Sequence, residues 1–281
     1  MPLPLKPGAV LAVAREINAA AGDYSPLLVA GAPDTAGKLV DALSAGAEPG
    51  AVRNLSGREI GPSDLEGADV LVYAIEGDAP DEADLEVFRL ADRYDVKIVC
   101  VLVGRPADPT AEVPYVLATD VVRVAPGAEL PIARIAERIA ERAGPDGYRL
   151  AARAPVLRRP IAEEIVRDFA RQNGVLSVLV FIPGADFPVL TLNQIRMVLR
   201  LATAYGENID GERAFELLSV VGVGLGLRAI ARNVIGIVPG LGWAVKGVIA
   251  FVGTRAMGEA AIAYFEAGAP ERLKRAVRSR S

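Results

Sequence analysis

The chain has 281 residues, about half of them apolar, with 31 Lys and Arg against 35 Asp and Glu. That length exceeds one ordinary domain and supplies apolar side chains for a sizeable core. Histidine is absent and Cys100 is the sole cysteine, which excludes Ser-His-Asp and Cys-His nucleophiles, an imidazole base and an intrachain disulfide, and leaves no ligand set for zinc.

The net charge of −4 conceals an asymmetry. Residues 1–146 hold 13 Lys and Arg against 24 Asp and Glu, a balance of −11, whereas residues 147–281 hold 18 against 11, a balance of +7. An acidic half and a basic, more apolar half point to two modules, and the break Gly144-Pro-Asp-Gly147 sets them at 1–145 and 146–281. The proline-broken start Met1-Pro-Leu-Pro-Leu-Lys-Pro7 is not a secretion signal, and a cytoplasmic protein is expected.

In chain order, Val10, Val13, Ala14 and Ile17 predict a helix over 8–22, and Leu27–Gly31 reads as a buried strand. The segment Ala32-Pro-Asp-Thr-Ala-Gly-Lys38 then leads into a helical pattern at 39–43. Further strands are predicted at 69–75, at 97–103 with Cys100 packed as a small hydrophobe, and at 121–124; helices are predicted at 80–94 and 130–143. Strands alternating with helices at this spacing predict an α/β domain with a parallel, doubly wound sheet.

The unit at 27–43 resembles a P-loop, in which backbone N–H groups wrap phosphates, a lysine reaches them and a hydroxyl binds magnesium. Gly31, Gly37 and Lys38 are the candidate nucleotide or phosphate contacts. The order of elements over about 24–143 resembles an Era/Ras-like GTPase, which implies GTP or GDP as the ligand. The departures fall on the chemistry. Ala32 replaces the first glycine, Leu39 replaces the magnesium-binding hydroxyl, and the interval from Lys38 to Val70 leaves little room for two strands and two switch segments. The guanine-reading loop is replaced by Gly104-Arg-Pro-Ala-Asp108, the final base-contact loop by Ala125-Pro-Gly127, and Asp64-Leu-Glu-Gly67 precedes a strand instead of following one. Phosphoryl transfer needs Mg²⁺ and a placed water, so no catalytic residue is assigned and the domain reads as a pseudo-GTPase. Lys38 is either a solvated helix residue or the remnant of a site that binds nucleotide without turnover.

The second half is helical throughout. Ile161, Ile165, Val166 and Phe169 mark a helix over 161–172, an apolar run spans 175–181, Asp186 caps a helix to Tyr205, and Asp210 caps another through Leu227. A last long helix holds Trp243 to Phe265, with glycines at 242, 247, 253 and 258 that suggest close backbone packing. The turns Ile182-Pro-Gly184 and Val238-Pro-Gly240 suggest a repeated hairpin. The segments 180–196, 204–206, 238–243 and 260–265 closely resemble the YcjF-like domain of unknown function, over about 160–267. That resemblance implies company with Era-like GTPases and, for many members, membrane association, but no catalytic residues.

No uncharged stretch reaches the roughly 20 residues of a membrane span; the apolar runs are cut by Glu216, Arg228, Arg232, Lys246 and Arg255. A buried bundle and a peripheral or hairpin insertion at the cytoplasmic face both fit. Arg272, Lys274, Arg275, Arg278 and Arg280 are candidate contacts to an anionic surface, and without interleaved aromatics the tail is a poor nucleic-acid ligand. The sequence therefore reads as a non-catalytic regulatory or scaffold protein that binds a protein partner, itself or a membrane. The alternative is a slow or partner-activated GTPase.

Overall fold

The computed structural model describes residues 7–22, 25–57, 59–105, 112–179, 186–207, 209, 214, 217–218 and 243–268. The chain divides into two compact units, Tyr24–Ile161 and the combination of Met1–Asp23 with Ala162–Ser281.

The first unit is α/β. Strands β1 (Leu27–Gly31), β2 (Val52–Asn54), β3 (Val70–Glu76), β4 (Lys97–Val103) and β5 (Val121–Val124) form one parallel sheet in the order β2-β1-β3-β4-β5. Residues Val70 to Ile75 of β3 and Ile98 to Leu102 of β4 are buried, as expected of parallel strands covered on both faces. Four of these strands match the sequence reading, and the short β2 is the one strand that fits between Lys38 and Val70.

One face of the sheet packs Leu71, Tyr73, Ile75, Cys100 and Leu102 against Leu65, Phe88 and Ala91. Leu65 ends α3 (Pro62–Leu65), and Phe88 and Ala91 belong to α4 (Glu82–Arg93). Tyr73 and Phe88 meet edge to face at 5.0 Å, and the Tyr73 hydroxyl donates to Asp84 at 2.9 Å. The other face is covered by α2 (Pro33–Leu43) and α5 (Ile132–Ala143), which bury Ala36, Leu39, Leu43, Ile135 and Ile139. The break at 144–147 is a tight 3₁₀ turn leading straight into helix α6 (Tyr148–Arg153), all within this unit.

The second unit is helical in its described residues. It contains α1 (Pro7–Ala21), most of α7 (Arg158–Leu179), α8 (Asp186–Ala204) and α9 (Trp243–Glu266). Two readings change here. Helix α1, expected to open the acidic module, groups with the C-terminal helices: Val10, Val13, Ala14 and Ile17 are buried, α1 packs on α8, Glu16 pairs with Arg196 at 3.6 Å, and Asn18 donates to the Ile209 carbonyl. The unit boundary falls at Ile161, inside α7. The helix over 161–172 and the run 175–179 are also one continuous helix, because Gly174 lies against α9, where an added Cβ would stand 3.3 Å from Phe251 Cβ. Both Pro-Gly turns, the Asp210 cap and the basic tail lie outside the described residues.

Candidate functional site

In an open parallel sheet, ligands bind beyond the carboxyl ends of the strands where the strand order reverses. Here that point lies between β1 and β3, where Gly31, Ala32, Glu76, Gly77 and Asp78 converge. Gly31 has φ +96°, and a Cβ there would stand 2.0 Å from the Ala74 carbonyl oxygen. The Ala32 N–H donates to that same oxygen at 2.9 Å. Glycine at this position serves strand-to-strand approach. Gly104 at the end of β4 does the same, since its Cβ would lie 1.9 Å from the Gly77 carbonyl oxygen.

The segment 32–38 is not a loop. Helix α2 starts at Pro33, so Ala32 alone joins β1 to α2, and Gly37 and Lys38 stand inside the helix. Proline at the first helical position favours this start because its missing N–H would have been unpaired. Burial of Thr35, Ala36 and Leu39 holds the first turn against the sheet. Lys38 is exposed, and the position of Gly37 is open, with nothing within 4 Å of an added Cβ. Of the three predicted contacts, Gly31 is at the strand end while Gly37 and Lys38 follow in the helix, with Ala32 the single residue between strand and helix.

The start of α2 carries the protein's own anions. Asp34 lies in the first turn, and Thr35 Oγ1 donates to Glu76 Oε1 at 2.6 Å. These carboxylates are placed to complement the positive end of the helix dipole, the role a phosphate has in a nucleotide site. Beside them, Asp78 Oδ1 accepts from the Arg105 N–H at 2.8 Å. Asp64, in the bare DxxG pattern, accepts from the Gly61 N–H at 3.0 Å and so caps α3. Residues 106–111, including Asp108, lie outside the described residues.

The shifted titrations belong to packing. Burial, with Asp84 adding to it, pushes the Cys100 thiol up to about 12. Burial also raises Tyr73, assisted by its bond to Asp84. Asp120 is raised by burial, against the opposing pull of Arg142, whose Nε lies 3.0 Å from Asp120 Oδ2. Among the described residues no three Asp, Glu or Cys side chains come together to hold a metal ion.

A second cluster, absent from the sequence reading, ties the helical unit together. Asn173 Nδ2 donates to Thr254 Oγ1 at 2.9 Å, Asn193 Nδ2 donates to Asn173 Oδ1 at 3.1 Å, and Gln194 Nε2 reaches Thr254 Oγ1 at 3.4 Å. Asn173 and Thr254 are fully buried. The available signal was weak, since Asn173 follows Arg171 and Gln172 and Asn193 adjoins Gln194, as polar residues on an exposed helix face would.

Residues 150–279 match the family model described as Domain of unknown function (DUF697). The match covers the segment that carries the YcjF-like resemblance and leaves the α/β sheet and α1 outside it. Neither curated proteins nor solved structures give a match.

Proposed function

We propose that the protein is a non-catalytic regulatory or scaffold protein. Its α/β domain keeps the outline of a GTPase domain without the chemistry, and its helical domain associates with an anionic membrane surface or a protein partner. The observation that carries the first part is the single-residue connection at Ala32. A phosphate cradle needs several successive backbone N–H groups turned toward one point. Here Pro33 has none, Ala32 bonds to Ala74, and Asp34 and Glu76 present carboxylates to the same helix end. Leu39 in place of the magnesium-binding hydroxyl supports the same reading, since a leucine cannot ligate the metal that phosphoryl transfer needs.

Support for the second part comes from the basic tail, from the positive balance of residues 147–281 and from α9, whose Gly247–Glu266 segment has the length and apolarity of a membrane span with only 28% of its apolar window buried. The test is flotation of the full chain with phosphatidylcholine–phosphatidylglycerol vesicles, with and without Mg·GTP, alongside phosphate release. The expected result is flotation that depends on the anionic lipid, is lowered by salt, is unchanged by GTP, and comes with no phosphate release. Turnover that tracks vesicle binding would instead support a slow, surface-activated GTPase.

A further inference from the structure

Helix α8 is buried on opposite sides. By the helical period, Ile195, Val198 and Ala202 fall on one side of its axis and Met197, Leu201 and Ala204 on the other, and all of them are buried. A helix apolar on both sides needs more than one neighbour to cover it, and α9 and α1 both pack on it.

The cover that α1 supplies has the form of a docked ligand. Its buried residues Val10, Val13, Ala14 and Ile17 stand at i, i+3, i+4 and i+7, the anchors by which an amphipathic helix fills a groove. Ala12, Arg15, Glu16 and Ala19 are exposed, so the burial is confined to one stripe. Charge is matched beside that stripe, where Glu16 lies 3.6 Å from Arg196 of α8.

Two observations set α1 apart from the rest of the helical unit. The chain that follows it, from Tyr24, belongs to the other unit, so α1 can leave α8 without drawing another helix with it. The family match begins at residue 150, so the shared domain contains α8 but not the helix that covers it. A free helix of 15 residues is marginal in water, and α1 therefore holds its form by docking. Its departure would uncover an apolar strip of α8, and contiguous apolar surface of that kind marks a site for a partner.

We propose that the side of α8 facing α1 is a helix-docking site, and that α1 is its tethered occupant, shielding it until the helix of a protein partner displaces it. The partner presents an amphipathic helix with small or β-branched anchors at i, i+3, i+4 and i+7 and a carboxylate just before the last anchor, to meet Arg196. Tethering gives α1 a local concentration on the order of millimolar, which a free helix must outcompete. The proposal goes beyond the reading above: it stands on α1 and α8 alone and is independent of vesicle and nucleotide binding.

The test uses the full chain, with a fluorescein-labelled peptide of Pro7 to Gly22 as the probe. In the native chain, hydrogen exchange is expected to show the α1 amides opening at least about tenfold faster than those of Ile195 to Ala204. In Val13→Asp/Ile17→Asp, whose α1 no longer docks, the peptide is expected to bind at least about tenfold more tightly than to the native chain, with the urea transition of Trp243 emission still present. A peptide carrying Glu16→Arg should bind that variant about two- to fivefold more weakly, and recover when Arg196→Glu is added. Equal protection of α1 and α8, or loss of the Trp243 transition in the double variant, would make α1 a fixed part of the core and overturn the proposal. A folded variant that ignores the peptide would overturn it too, as would a native chain that binds the peptide equally well, which would place the peptide elsewhere. A native dimer that the double variant dissolves would make a second copy the occupant and overturn the assignment to a separate partner.

Discussion

The two units solve the same problem, where to place polar groups, in opposite ways. In Tyr24–Ile161 the strands are apolar on both faces, and the polar groups collect at strand ends and helix starts: Glu76 with Thr35, Asp78 with the Arg105 N–H, Asp81 and Asp84 capping α4. In the helical unit an otherwise apolar interior, with Val166, Phe169, Leu199 and Ile262 buried, also holds amides and a hydroxyl at one level where three helices meet. The first arrangement is stable in water because buried apolar area drives it. The second adds a buried hydrogen-bonded layer, whose groups must all be satisfied if burial is not to cost stability. The lesson is that composition separates the two halves by charge, while only side-chain direction shows where each keeps its polar groups.

The sharpest way to break this comparison is to damage each interior and read the units separately. Cys100 is fully buried in the sheet, with its thiol at about 12, so its labelling by iodoacetamide reports opening of the α/β unit; Trp243 emission reports the helical unit. Phe88→Ala removes a fully buried ring packed edge to face on Tyr73 and is expected to cost about 3–5 kcal/mol. Cys100 labelling should then begin at lower urea while the Trp243 transition stays in place. Equal shifts of both probes would show that the units do not unfold as distinct bodies.

Asn173→Ala removes the bonds to Thr254 and Asn193, leaving Thr254 only its longer contact to Gln194, and is expected to cost about 1–3 kcal/mol on the Trp243 transition. If the helical unit associates with an anionic surface, anionic vesicles should restore part of that loss, because binding only the folded state stabilises it. No restoration would count against that association. A smaller effect is expected at the carboxyl end of β3. Thr35→Val keeps shape but removes the bond to Glu76, with a loss of about 1 kcal/mol by urea denaturation followed with Cys100. Smallest of all is Lys38→Ala: an exposed side chain on α2 should change stability by less than about 0.5 kcal/mol.

Most of the fold was legible because its signals are local and periodic. Four strands are short apolar runs bounded by turn residues, and the stripe Ile135, Ala136, Ile139 marks α5 at its observed place. The strand β2 was missed because Val52-Arg-Asn54 is short, half-exposed and at the sheet edge, so it has no apolar run to betray it. The placement of α1 was missed because an amphipathic stripe states that a helix has a buried face without stating what covers it. The site was the least legible part. Pro33 and Gly37 read equally as loop or helix on paper, and only burial of Thr35, Ala36 and Leu39 decides for helix. The Asn173–Thr254 layer joins residues from three helices far apart in sequence, and no spacing rule relates them.

The central claim, that the α/β domain does not carry a working nucleotide site, is tested most directly by isothermal titration of GTP and GDP, each with Mg²⁺, into the full chain and into Lys38→Ala. The account predicts no saturable heat in either protein and no difference between them. Saturable, magnesium-dependent GTP binding in the native chain that disappears in Lys38→Ala would contradict it, and would show that α2 must unwind at Pro33 to form a phosphate loop.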